Sequence, residues 1–185
     1  LSALNIEIAA CGPLVSDDRI ALLTFTGSDT VGWQLKSHAN KKRVLLELGG
    51  DAAVVIAEDA TDLERIAERV AFGAFAYAGQ VCISVQRVLI HRSKIRAFTE
   101  ALVRITEERA QCGDPAQEGV WLSALIDDRA REKVTGLIKA AKDDGAVVDY
   151  EGPSEGNLRG PVILSQLPES SVLRRVEAFG PVVYL

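Results

Sequence analysis

The chain has 185 residues, 48% of them hydrophobic and 25% charged, an ordinary globular composition long enough to bury a core. Its net charge is −5, from 21 basic and 26 acidic residues, with no basic block, so neither nucleic acid nor an anionic membrane is expected as a partner. No apolar run approaches the ~20 residues a spanning helix needs, and no basic-then-apolar segment opens the chain as a signal peptide would. Three cysteines, Cys11, Cys82 and Cys112, form no CxxC pair, which excludes a disulfide framework and a cysteine-rich zinc site. With only His38 and His91 and no HExxH, no catalytic metal is expected, and the reducing cytosol is the compartment this usage implies. The chain opens at Leu1, contains no methionine, and closes on the strand-like run Pro181-Val182-Val183-Tyr184-Leu185, so both ends are read as cut.

In chain order, Ile20–Thr26 and Val44–Leu48 read as strands, with a helix from about Asp29 to Ala39 between them. Ala53–Ala57 is another short buried strand. Thr61 and Glu64 match a capping box, and behind them Leu63, Ile66, Ala67, Val70, Ala71, Ala74, Phe75 and Ala78 form one apolar stripe at helical period, ending at Gly79. Val85–His91 is a strand, and Ser93 is expected to cap a helix carrying Ile95, Phe98, Leu102 and Ile105 inward. After a break at Gly113-Asp114-Pro115, Asp127 caps a helix that buries Ala130, Val134, Leu137, Ile138 and Ala141. Short strands follow at Ala146–Tyr150 and Pro161–Leu164. Strands alternating with helices predict an α/β fold, a largely parallel sheet flanked by helices, with one domain boundary near Arg43–Gly50.

Three segments carry candidate chemistry. Phe25-Thr26-Gly27-Ser28-Asp29-Thr30-Val31-Gly32 runs from a strand through glycine and a hydroxyl into a helix start, where free N–H groups and the helix dipole favour an anion. The plainer alternative is an N-cap by Ser28, and the segment is neither a P-loop nor G-x-G-x-x-G. In Leu46-Glu47-Leu48-Gly49-Gly50, a carboxylate is pinned between leucines at a strand end. Partial burial there would raise its pKa and suit a general base, while an edge glutamate beside a glycine turn is the alternative. Gly79-Gln80-Val81-Cys82 hands a helix to a turn that presents Cys82, either a nucleophile on a rigid, accessible perch or an inert thiol.

Together, in this order, these segments resemble the aldehyde dehydrogenase superfamily, as does Glu177-Ala178-Phe179-Gly180-Pro181-Val182 near the end, and the resemblance runs over nearly the whole chain. It implies an NAD- or NADP-dependent oxidation of a small-molecule aldehyde to the acid, with Cys82 as nucleophile and Glu47 as general base. It also implies that Gly27, Ser28, Gly32, Glu177 and Phe179 line the cofactor, that Leu48 approaches the nicotinamide, and that Lys133 contacts a ribose. Cys11 and Cys112 match no motif and are read as structural. On this resemblance residues 1–46 are the C-terminal remnant of a cofactor-binding domain, and 47–185 a catalytic domain truncated at its C-terminus. The whole enzyme would be a homodimer or homotetramer, and the isolated chain inactive.

Some positions depart from the family's pattern. Asp51-Ala52-Ala53 follows Gly50 where many members have Lys, then Ser or Asn, then Pro, with no catalytic consequence expected. Val81 stands where members acting on phosphorylated aldehydes often carry Arg, which argues against such a substrate. Cys82-Ile83-Ser84-Val85-Gln86-Arg87 resembles a branch with lactaldehyde- and semialdehyde-type enzymes. A CoA-acylating relative is disfavoured by the presence of Glu47, and a non-catalytic relative by the presence of both Glu47 and Cys82. A Cys–His hydrolase pairing Cys82 with His91 lacks a recognisable third group.

Overall fold

The computed structural model describes residues 2–185. The chain divides into two compact units, one ending at Gly49 and the other spanning Gly50–Leu185.

In the first unit a short 3-10 turn and α1 (Gly12–Ser16) precede β1 (Leu22–Thr26), α2 (Asp29–His38) and β2 (Arg43–Glu47). β1 and β2 pair in parallel, from Leu22 opposite Arg43 to Thr26 opposite Glu47. Both strands alternate exposed and half-buried residues, because a two-stranded sheet buries one side against α2 and nothing within the unit covers the other. Leu45 is therefore 59% exposed.

The second unit is built on a five-stranded sheet in the order β3 (Ala52–Ile56), β4 (Val85–Ile90), β11 (Val182–Tyr184), β10 (Val162–Ser165), β7 (Val147–Glu151). β3, β4, β11 and β10 run parallel, and β7 closes one edge antiparallel. The side-chain period of two explains the layers. Ile163 and Val183 point into a core with α3 (Leu63–Phe75) and α4 (Ile95–Arg109), whereas Val162, Leu164, Val182 and Tyr184 point into a second core with α5 (Asp128–Asp143). The central strands are covered on both faces, hence their unbroken apolar runs. Two small pairs decorate this frame: β5 (Gln111–Cys112) with β6 (Val120–Leu122), and β8 (Ser154–Glu155) with β9 (Leu158–Arg159). Neither was expected from the sequence, since strands of two or three residues are too short for alternation to register.

The expected α/β class, strand positions and apolar stripe of α3 all hold, with Ala67, Val70, Ala71, Ala74 and Phe75 buried. Several local expectations need correction. The Ala53–Ala57 run, expected to be buried, lies at the edge of the sheet with Val55 exposed, and Ile95, expected inward on α4, is exposed. The cap of α3 is Asp62, whose carboxylate accepts from the Arg65 N–H at 3.0 Å, not Thr61. Glu64, expected to reach back in a capping box, instead pairs with Arg104 on α4. Ser93 does not cap α4: its hydroxyl lies 2.8 Å from His91 Nδ1, and Lys94 occupies the cap position without a side-chain bond. Finally, α3 stops at Phe75, four residues before Gly79. Asp127 does cap α5, accepting from the Ala130 N–H at 2.7 Å. No helix among the described residues is long and apolar enough to cross a membrane.

Candidate active site

Within the first unit, the strand pairing brings the Gly27 segment beside the Glu47 segment. The Gly27 N–H donates to the Glu47 carbonyl at 3.0 Å. Gly32, buried on α2, is a glycine for a packing reason: a Cβ there would lie 2.5 Å from Leu48 Cδ2. The start of α2 is largely satisfied by its own side chains. Ser28 Oγ accepts from the Val31 N–H at 3.4 Å, and Asp29 Oδ1 accepts from the Thr30 N–H at 2.7 Å. The N-cap reading of Ser28 is thus realised. Glu47 ends β2 on its exposed side, so the partial burial expected for a general base is not present.

The second unit assembles the other expected residues. After Phe75 the chain turns left-handed for three residues, Tyr77, Ala78 and Gly79, with φ of 55°, 54° and 66°. Such a conformation costs a residue with a side chain about 1–2 kcal/mol. It is held by a bond from the Gln80 N–H to the Tyr77 carbonyl at 3.1 Å and by burial of Ala78. Gly79 is required twice over, by its φ and because a Cβ would overlap the Gly180 carbonyl. This reversal delivers the chain to a turn, closed by the Ser84 N–H on the Val81 carbonyl at 2.9 Å, on which Cys82 is exposed. The expected perch is there, built from left-handed backbone and not from the end of a helix.

Gly50 packs against this turn: a Cβ on it would come 2.7 Å from the Cys82 carbonyl oxygen. The Gly50 N–H donates to Glu177 Oε1 at 2.8 Å, and Lys133 Nζ donates to the Glu177 carbonyl at 2.9 Å. Gly180, three residues on, sits close to Val134, where a Cβ would meet Cγ2 at 2.5 Å. Lys133, Glu177, Gly50 and the Cys82 turn therefore converge on one face of the second unit. Phe179, 38% exposed and itself left-handed at φ 53°, lines a cavity of about 510 Å³ with Tyr77, Gln80 and Ile126. Gln80 also accepts from the Ile126 N–H at 3.2 Å, fixing the approach to α5 that carries Lys133.

Two features escaped the sequence reading. Asp51, taken as inconsequential, forms an ion pair with Arg87 on β4. Gln86, beside it, is buried and bonded to two of the site's backbone segments. A polar residue at an inward position of the Val85–Ile90 alternation is the signal that marks it. Burial pushes the half-buried Cys112 thiol up from its ordinary value, in keeping with a structural residue. Among the described residues no group of three or more potential ligands lies where it could hold a metal ion.

Residues 8–185 match the model of the aldehyde dehydrogenase family. The chain is 35% identical over 170 residues to a 3-sulfolactaldehyde dehydrogenase of Priestia aryabhattai, covering 92% of this chain and 35% of the relative. Among solved structures it is similar to an NADP-dependent glyceraldehyde-3-phosphate dehydrogenase of Bacillus halodurans complexed with NADP, at 30% identity and a TM-score of 0.88, over 94% of this chain and 36% of that one. It is likewise similar to an NAD-dependent benzaldehyde dehydrogenase of Corynebacterium glutamicum, at 34% identity and a TM-score of 0.86, over 94% and 37%. The chain belongs to the aldehyde dehydrogenase family, and it spans about a third of the length of the relatives it matches.

Proposed function

We propose that the protein as encoded oxidises an aldehyde to the carboxylic acid with NAD+ or NADP+, using Cys82 as nucleophile and Glu47 as general base. The observation that carries this reading is the convergence of the Cys82 turn, Gly50 and Glu177 in the second unit, with Cys82 exposed at its centre. The Cys82 thiolate adds to the aldehyde carbon, and the Cys82 backbone N–H is a donor for the oxyanion that forms. The chemistry a bound nicotinamide would supply is that of acceptor for the hydride lost from the Cys82 adduct. Cys82 then holds the acyl group as a thioester. Glu47 takes a proton from water, whose oxygen attacks the thioester carbon, and the acid leaves with return of the Cys82 thiolate.

The fit to a dinucleotide rests on the two units separately. In the first, Gly32 leaves room for Leu48 where a side chain would clash, and Gly27 and Ser28 lead into α2. In the second, the Glu177 carboxylate is half-buried, and its main-chain carbonyl anchors Lys133. We assign residues 1–46 to a cofactor-binding domain and 47–185 to a catalytic domain, in a homodimer or homotetramer of the reducing cytosol. Val81 beside the nucleophile supports an aldehyde without a phosphate.

The test is a stopped-flow assay of NAD(P)H formation in the protein as encoded. Wild-type should show turnover, Cys82→Ser neither burst nor turnover. Glu47→Gln should keep the burst while steady turnover falls by ~10²–10⁴, the usual loss when a general base is removed. Loss of burst and turnover together in Glu47→Gln would move Glu47 to an earlier step or to a structural role.

A further inference from the structure

We propose that Gln86 is a positioning residue, whose side-chain amide clamps the backbone of the Gly50 and Glu177 segments beneath the Cys82 turn. The inference rests on the dehydrogenase reading above and goes beyond it to a residue that none of the four motifs contains. Gln86 lies on β4, four residues after Cys82, and is 3% exposed. Its Nε2 donates to the Gly50 carbonyl at 2.9 Å and its Oε1 accepts from the Ala178 N–H at 2.6 Å. These partners settle the orientation of the amide, because a carbonyl only accepts and a backbone N–H only donates.

The two bonds close a ring. From Gln86 it passes to Gly50, from the Gly50 N–H to the Glu177 carboxylate, and through the peptide to Ala178, which returns to Gln86. One side chain thereby sets the height of Gly50 against the Cys82 carbonyl and the setting of Glu177. Arg87, next along the strand, holds Asp51 from the other side of the same segment. Ala178 is fully buried, so loss of the Gln86 acceptor strands its N–H without solvent to replace it. A group that holds Glu177 and touches no reacting atom should act on cofactor binding and spare the chemical step.

Two variants test this in the protein as encoded. Gln86→Met keeps the length and removes both bonds. It should raise KM for NAD(P)+ about tenfold, equivalent to about 1.4 kcal/mol, with kcat at saturating cofactor changed less than about threefold. Gln86→Glu supplies a rescue that depends on pH. When protonated, the introduced carboxyl donates to the Gly50 carbonyl and accepts from Ala178 as the amide does. When ionised, it turns an oxygen lone pair on the Gly50 carbonyl. Its KM should therefore approach wild type at low pH and rise with pH, relative to wild type at each pH, along a profile Gln86→Met lacks. Hydrogen exchange at Ala178 reads the clamp without any activity, and should quicken about tenfold in Gln86→Met.

If wild-type turns over and the variants lower kcat as much as they raise KM, or lose only thermal stability, Gln86 is structural and the proposal is overturned, with the dehydrogenase reading intact. Unchanged Ala178 exchange overturns the clamp itself. A wild-type protein with normal Ala178 protection but no aldehyde oxidation overturns the dehydrogenase reading, and with it any role for Gln86 in cofactor binding.

Discussion

The three cysteines differ in what surrounds the sulfur. Cys82 stands exposed on a turn, Cys11 is half-buried with its thiol 3.6 Å from the Glu7 carbonyl, and Cys112 is half-buried against the core of α3 and α4. Alkylation needs both access and thiolate, and burial pushes the Cys112 thiol up, away from the thiolate. Limited iodoacetamide at neutral pH should therefore modify Cys82 at least about tenfold faster than Cys112, as read by peptide mapping. Labelling of Cys11 or Cys112 ahead of Cys82 would remove the main support for Cys82 as the reactive thiol. The glycines of the site are explained at the same level. Gly50, Gly79 and Gly180 each sit where a Cβ would strike a neighbouring segment of the site, so they are contact points between motifs and not flexible joints.

Between secondary-structure elements, the clearest electrostatic feature is Glu151 at the end of β7. The Lys142 ammonium beside it, on α5, holds its carboxyl below the usual carboxylate range against the opposing effect of burial, and Arg159 on β9 adds to the shift. Arg159 is itself buried, so Glu151 is the partner that keeps a guanidinium compensated. A carboxyl with a depressed folded-state pKa stabilises the fold above its unfolded pKa, near 4.3, and loses that contribution as pH falls through the folded value. Glu151→Gln should accordingly lower Tm at pH 7 by a few degrees, a loss of about 1 kcal/mol after allowing for the partial exposure of the pair. The difference from wild type should shrink in thermal melts as pH drops below about 4. A gap that persists unchanged into acid would mean that packing, not the ion pairs, holds this corner.

For the whole molecule, the described residues of the first unit present one parallel pair of strands, the short α1 and the longer α2, whose leading N–H groups already donate to Ser28 and Asp29. Dinucleotide affinity comes from many placed contacts along a crevice at the carboxyl ends of a broader sheet. The 185-residue chain by itself should thus bind NAD+ and NADP+ more weakly than micromolar and oxidise no aldehyde, as calorimetry and a direct assay would show. Micromolar binding would mean that these two units hold enough of the crevice on their own.

Much of this was legible in the amino-acid order. Helical period in Leu63–Phe75 and alternation or apolar runs at the strands are set by local geometry, so the α/β class and the burial of α3 followed from the chain alone. The motif residues were likewise named from sequence, down to Cys82 on its turn. What tertiary structure decided was everything that depends on a partner distant in sequence. The choice between Thr61 and Asp62 as cap went with the pairing of Glu64 and Arg104, 40 residues apart. The left-handed turn at Tyr77 and Ala78 persists where Gly79 meets Gly180, which no local propensity would favour. Gln86 gained its meaning only when folding brought Gly50 and Ala178, 36 and 92 residues away, to the two ends of one amide. Local periodicity is a property of neighbours along the chain, whereas a buried hydrogen bond belongs to whichever segments the fold makes adjacent.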